Sequence, residues 1–311
     1  MPVTRSPQSA LPGIGYLCFG ILIFSLQDLI IKLMSSSYPV TQAVAIRSVI
    51  ALPILAMMLA FDGGWSRLWT KQAGWVLLRA LILLCTYLSY YMAFPVMKLA
   101  DAVVLFFTAP ILIVLLAGPI LGERIGATKA FAVLLGFAGT VIALNPTAEV
   151  FEPAALLVLF SALCYAIAQL MARRLGATQQ ASVQAFYQNL AYLIAAPGLA
   201  LLFSQAGITH SDHPSLDFLV RPWVTPNAYD LALMALCGPI AAIAMTLLTQ
   251  AYRKAEANTV TTFEYTGLFW NSVWGYLVWR EIPSGWTLVG AALIIVAGIL
   301  ALLGGTRRAA P

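Results

Sequence analysis

Three ionisable side chains sit well inside long apolar runs of the chain: Asp28 and Arg47 in its first half and Glu264 in its second. A charge near the middle of a bilayer costs at least about 2.5 to 3.5 kcal/mol on insertion scales, so each one kept there needs a partner, water or a task. Asp28 lies shortly before the end of one apolar run and Arg47 a similar distance into the next. Across a short antiparallel hairpin the two reach similar depth, where they pair or share one polar pocket. Arg47 offers a planar fork suited to a carboxylate, a phosphate or an imide of a substrate. The alternative is structural: Asp28 and Arg47 neutralise each other, helped by Lys32 one turn beyond Asp28, and hold two helices together.

Glu264 stands next to Tyr265 and ahead of Trp270, Asn271 and Trp274, with Thr261 and Thr262 on the turn below. It is a candidate proton carrier or a ligand for a donor group on a substrate; the alternative is a carboxylate that pins a neighbouring helix. Aromatic residues gather as Tyr87, Tyr90, Tyr91 and Phe94, and again as Phe263, Tyr265, Phe269, Trp270 and Trp274. Tyr87, Tyr91 and Phe94 share one helical face. Such faces can stack a flat ring, pack a core or anchor span ends at the membrane interface. Pro110 removes a backbone hydrogen bond inside an apolar run and is expected to kink it; with Thr108 beside it, it marks a candidate hinge.

The elements that must carry these residues follow from composition. The chain has 311 residues, 61% hydrophobic and 9% charged, against roughly 25% charged in an average soluble protein. Its mean hydropathy is +0.88. The apolar residues fall in runs of about 20, the length that crosses a bilayer. Ten spans are expected, at about 13 to 34, 39 to 61, 75 to 96, 102 to 122, 126 to 145, 153 to 174, 182 to 204, 229 to 251, 259 to 279 and 285 to 304. The formal charge of +5 comes without a basic stripe, which argues against nucleic acid as a partner. The cations read better as topology signals. With the N-terminus inside, Arg5, Arg67, Lys71, Arg124, Lys129, Arg173, Arg174, Arg253, Lys254, Arg307 and Arg308 lie inside, and Lys32, Lys98, Arg221 and Arg280 outside, as the positive-inside rule requires. The longest connection, from Gln205 to Ala228, then falls outside and reads as a solvated loop.

The chain also matches itself. A shift of 141 residues lays Phe24, Leu29, Lys32 and Thr41 over Tyr165, Leu170, Arg173 and Ser182. A shift of 157 to 159 lays Ala100 to Val103 over Ala257 to Val260, Glu123 over Glu281 and Gly139 over Gly298. The halves are read as duplicates, 13 to 145 and 153 to 304, between cytoplasmic tails at 1 to 12 and 305 to 311. An odd number of spans per half inverts the second copy, a common architecture of alternating-access carriers. The shift carries Asp28 to Gln169 and Arg47 to Gln188, so an ionic half-site faces two amides.

On these residues the chain resembles the EamA-type branch of the drug/metabolite transporter superfamily over essentially its whole length. The resemblance rests on Phe106-Phe107-Thr108-Ala109-Pro110, Leu121-Gly122-Glu123-Arg124 and the Gly136/Gly139 helix in the first half. In the second it rests on Phe263-Glu264-Tyr265-Thr266, Gly275-Tyr276, Glu281-Ile282-Pro283 and Gly290 to Gly298. Phe24-Ser25 to Asp28, Lys32, Tyr38-Pro39, Gln42 and Arg47-Ser48 resemble a subgroup that includes carriers of riboflavin, S-adenosylmethionine and organic acids. Where the family often has Gly before the second-half Glu, this chain has Arg280, a departure that falls on the local turn. The resemblance implies that the helices bearing Gly136, Gly139, Gly290 and Gly298 are peripheral, packing the scaffold or a homodimer.

The sequence carries no Walker loop, HExxH, nucleophile elbow or CxxC, so an intramembrane enzyme is disfavoured and no cofactor or metal is expected. A channel is disfavoured because two inverted copies do not supply the rings of like residues that line a pore. The expectation is a permease of the cell inner membrane, with both termini cytoplasmic, whose partners are the lipid bilayer and a small-molecule substrate. Riboflavin or a similar flat polar vitamin ranks first; aromatic amino acids, S-adenosylmethionine and carboxylates, exported or exchanged, follow. The expected binding residues are Asp28, Arg47, Tyr87, Tyr91, Thr108, Gln169, Gln188, Glu264, Trp270 and Asn271.

Overall fold

A computed structural model describes residues 11–121, 127–144, 152–175, 179–254 and 262–306. Of the expected tails at 1–12 and 305–311, residues 1–10 and 307–311 lie outside the described residues, as do the Gly122-Glu123-Arg124 motif, Ala257 to Val260 and Thr261, while 11–12 and 305–306 are helical. The first half contains α1 (Leu11–Met34), α2 (Val40–Phe61), α3 (Ala73–Tyr91), α4 (Leu99–Phe106), α5 (Thr108–Leu121) and α6 (Ala127–Leu144). The second contains α7 (Ala154–Leu175), α8 (Ala181–Gln205), a short α9 (Pro214–Val220), α10 (Ala228–Lys254), a 3-10 turn (Thr262–Tyr265), α11 (Thr266–Trp279) and α12 (Gly285–Thr306). Helices α1, α2, α3, α7, α8 and α10 are each long and apolar enough to cross a membrane. The chain is an all-α integral membrane protein of ten spans, built as two inverted five-helix repeats.

The repeat is legible in the packing. Helix α1 packs on α10 as α7 packs on α3, and α2 on α10 as α8 on α3. The pairs α2 with α8 and α6 with α12 map onto themselves when the halves are exchanged. Such reciprocity is what a pseudo-two-fold axis lying in the membrane plane produces.

Two spans are broken, at corresponding places. The fourth was expected as one helix from about 102 to 122, but it begins at Leu99 and divides at Phe107 between α4 and α5. Pro110 cannot donate to the Phe106 carbonyl, which weakens the helix at that turn, and Thr108 Oγ1 donates to Leu105 O at 2.9 Å instead. The ninth span opens with the 3-10 turn Thr262–Tyr265, which holds Glu264, before α11 begins. Phe107 and Glu264 coincide under the repeat shift of 157, so each half opens its backbone at one equivalent level.

The connection from Gln205 to Ala228 is more ordered than a solvated loop. His213 caps α9 by accepting from the Ser215 amide at 3.2 Å, and Phe218 is buried. Trp223 Nε1 donates to Thr41 Oγ1 at 3.0 Å. Gln42 exchanges hydrogen bonds with the Val224 backbone at 2.7 and 3.1 Å. The segment is therefore folded down over the start of α2.

Candidate functional site

Between the halves lies a cavity that is partly open to solvent. Five tyrosines and three phenylalanines line it beside aliphatic and amide side chains, with three charged residues: Asp28 from α1, Arg79 from α3 and Glu264 from the 3-10 turn. Of the expected residues, Asp28, Tyr87, Tyr91, Gln169, Gln188, Glu264 and Asn271 line it. Arg47, Thr108 and Trp270 are not among the lining residues. Thr108 bonds to the break in its own helix, and Trp270 stacks on Trp274 at 6.5 Å.

Asp28 and Arg47 do not form an ion pair; a chain of hydrogen bonds joins them. Tyr91 Oη donates to Asp28 Oδ1 at 2.7 Å, Gln27 Nε2 donates to Tyr91 Oη at 2.9 Å, and Arg47 donates to Gln27 Oε1 at 3.0 Å. The guanidinium of Arg47 is sealed from solvent. It lies 4.3 Å from the Tyr87 ring and 5.2 Å from the Tyr192 ring. Desolvated cation–π contacts of this kind are worth about 2 kcal/mol or more each. The sequence put the two at similar depth, to pair or to share one polar pocket; the sideways offset that admits Gln27 and Tyr91 between them is set by packing. Lys32 does not assist Asp28 either: its ammonium meets Glu281 Oε1 at 2.6 Å.

Glu264 Oε1 accepts from Tyr165 Oη at 2.8 Å and also from Tyr252 Oη. These donors come from α7 and α10, so the carboxylate ties its turn to two long helices. Arg79 was not anticipated as a site residue. It sits in the first turns of α3, where a cation close to a span end reads as a topology or anchoring residue. Its burial, at 2% exposed, and its place on the cavity wall come from the packing of α3 on α7. Its Nε donates to the Ala168 carbonyl at 3.1 Å, and among the described residues no carboxylate pairs with it. Seen from the sequence, the one signal was its position on a predominantly apolar helix.

A largely apolar cavity shared by two inverted repeats, carrying a few charged and amide groups on its wall, is the geometry of a carrier, and sequence comparison gives the same answer. The EamA-like transporter family model matches residues 11–145 and again 152–303. The chain belongs to this family. Among curated relatives, an S-adenosylmethionine uptake transporter of Rickettsia bellii is 24% identical, covering 92% of this chain and 91% of that protein. A pseudopaline exporter of Pseudomonas aeruginosa is 27% identical over 89% of this chain and 90% of its own. A riboflavin transporter of Vibrio cholerae is 28% identical over 83% and 81%. A solved crystal structure superposes with a TM-score of 0.67 at 18% identity, covering 98% of this chain and 100% of that one, which shows the shared fold. In this EamA-family chain Arg280 takes φ 57°, the left-handed region that glycine favours.

Proposed function

We propose that the protein is an alternating-access permease of the bacterial inner membrane, with both termini cytoplasmic, that binds a flat, polar, nucleoside-sized metabolite between its halves. The observation that carries this reading is the cavity itself, whose tyrosine wall is joined by a carboxylate from each repeat. Tyrosine faces can stack a planar ring, and Asp28 and Glu264 can accept hydrogen bonds from its donor groups. Transport needs no covalent step, and the relatives are named as transporters.

The charges alter the order of substrates. With Arg47 behind Tyr87 and Tyr192, the ground for favouring an imide-bearing vitamin weakens. The cavity holds two carboxylates and one guanidinium, an excess of acid that suits a substrate with a cationic group. S-adenosylmethionine, the substrate named for one relative, therefore ranks ahead of riboflavin, named for another.

Purified protein in liposomes, offered labelled S-adenosylmethionine and labelled riboflavin in parallel, tests the reading. Saturable uptake of the first is expected, and Gly267→Trp should abolish it, because Gly267 lines the cavity. Riboflavin uptake alone would reverse the substrate order. Uptake undisturbed by Gly267→Trp would remove the cavity from the pathway.

A further inference from the structure

Two arginines are buried among the described residues, and they differ in where their nitrogens end. Arg47 leaves its Nε and one terminal nitrogen sealed without a partner, and it is not among the residues that line the cavity. Arg79 does line it. Its Nε is held by the Ala168 carbonyl at 3.1 Å, which fixes the side chain to α7. Its two terminal nitrogens make no hydrogen bond among the described residues, yet neither is among the sealed, unpartnered atoms. The little exposure the residue keeps is therefore at the tip of its fork, and the open space beside it is the cavity.

This charge has no counter-ion. The ionisable side chains that act on Arg79 are Tyr192 and Tyr165, and a phenol is neutral at physiological pH. Both hydroxyl protons are committed elsewhere: Tyr192 Oη donates to the Leu83 carbonyl at 2.7 Å and Tyr165 Oη to Glu264 at 2.8 Å. Asp28 and Glu264 line the same cavity, but neither acts on the guanidinium. An uncompensated cation inside a membrane span is costly, and arginine does not shed its proton. The counter-ion that fits is one that enters the cavity.

We propose that Arg79 is a specificity-determining residue, an anion subsite that takes the carboxylate of the substrate. This rests on the reading of the cavity as the substrate site. With Nε engaged, the two terminal nitrogens form one free edge of the guanidinium, and a carboxylate matches such an edge through two parallel hydrogen bonds. One guanidinium balances one negative charge. A dianionic phosphate would bring a second into a cavity that already holds Asp28 and Glu264, where like charges repel. The substrate selected is a monocarboxylate that also bears a positive group for the acidic residues: an amino acid, or a nucleoside that carries one. A neutral ring system such as riboflavin has no charge for Arg79 to meet.

The test is a cycle between one residue and one ligand group, read by equilibrium binding of labelled ligand to purified protein in lipid nanodiscs. S-adenosylmethionine is compared with decarboxylated S-adenosylmethionine, which keeps the sulfonium and the amine, on wild type, Arg79→Gln and Arg79→Lys. Wild type is expected to prefer the carboxylated compound by about tenfold or more. Arg79→Gln should erase that preference by weakening S-adenosylmethionine alone, and Arg79→Lys should restore only part of it, since it lacks the fork. A structural defect would instead weaken both compounds together. Equal loss of both, a preference that survives Arg79→Gln, or a wild type without preference overturns the subsite and leaves the cavity reading standing. The wild-type comparison decides by itself where a variant fails to fold. Binding of riboflavin with neither nucleoside bound, or of none of the three, overturns the subsite together with the substrate order on which it rests.

Discussion

The guanidinium of Arg47 lies 4.3 Å from the ring of Tyr87, and Tyr87 itself faces the cavity. Arg47 is thus one layer behind the surface a substrate meets. Its Nε and one terminal nitrogen have no hydrogen-bond partner, so the aromatic faces and Gln27 hold the charge. Replacement by Lys keeps the charge but loses the planar stack. Arg47→Lys is expected to lower thermal stability in detergent by about 2 kcal/mol with little change in the substrate affinity of the folded fraction. A variant that melts normally but no longer binds substrate would move Arg47 into the binding surface.

A second relationship ties the two repeats together at one end of the spans. Lys32 Nζ, at the end of α1, meets Glu281 Oε1 at 2.6 Å and the Met97 carbonyl at 2.9 Å. Glu281 Oε2 accepts from the Leu99 amide at 3.3 Å. The pair therefore fastens the end of the second repeat's broken span to two segments of the first repeat. A charge-assisted bond of this kind contributes about 1.5 to 3 kcal/mol. Lys32→Gln or Glu281→Gln should raise labelling of a cysteine at Gly267 by an impermeant maleimide from that end, in a cysteine-free background, by about tenfold or more. Exchanging the two charges in one protein should restore protection. Unchanged labelling in both single variants would show that the contact does not hold that end closed.

Arg280 shapes that latch. Its φ of 57° turns the chain at the end of α11, and the Glu281 amide then reaches back to the Gly275 carbonyl at 3.1 Å. An L-residue in this region costs about 1 to 2 kcal/mol. Arg280→Gly should stabilise the protein by about 1 kcal/mol without loss of transport, as judged by melting temperature and initial uptake rate. Destabilisation would mean that the Arg280 side chain, 5.3 Å above the Tyr276 ring, outweighs the backbone cost.

Gly139 of α6 and Gly290 of α12 face each other inside the chain. A Cβ on Gly290 would stand 2.6 Å from the Gly139 carbonyl oxygen, and one on Gly139 would stand 2.9 Å from the Gly290 oxygen. Gly139→Leu or Gly290→Leu should lower stability by at least about 1 to 3 kcal/mol, whereas Gly285→Ala, where a Cβ would meet open space, should be silent. Equal melting temperatures for all of them would mean that the two helices can separate at no cost.

How much of this was legible beforehand depends on whether a residue declares itself along the chain or only across it. Spans, repeat and orientation signals are one-dimensional; Asp28 and Glu264 stood out as charges in apolar runs, and Tyr91 as one of the aromatics that share a helical face. Arg47 did so equally, but its rotation about α2 decides whether it meets the cavity or the far side of Tyr87, and neighbouring helices set that rotation. Arg79 went unnoticed for the converse reason: near a span end a cation is ordinary, and only the docking of α3 on α7 buries it. The helix breaks were half visible, since Pro110 signalled the first, while the second, at Glu264, contains no proline.

Glu264 raises the question of what drives transport. Glu264 lines the cavity, and both tyrosine bonds go to its Oε1, so its Oε2 takes neither. One oxygen cannot hold a proton and a substrate ammonium together, so binding of one expels the other. That competition is sufficient to couple the two flows as an exchange, with a proton released whenever an ammonium-bearing substrate enters. Concentrative uptake into liposomes that are acid inside is therefore expected for wild type and should collapse when an ionophore dissipates the gradient. Glu264→Gln keeps an acceptor for Tyr165 and Tyr252 but no longer exchanges a proton. It should bind substrate more weakly and carry it only down its own gradient, at a rate indifferent to pH difference. Wild-type uptake that ignores the proton gradient would leave Glu264 as a binding and bracing group without a part in coupling.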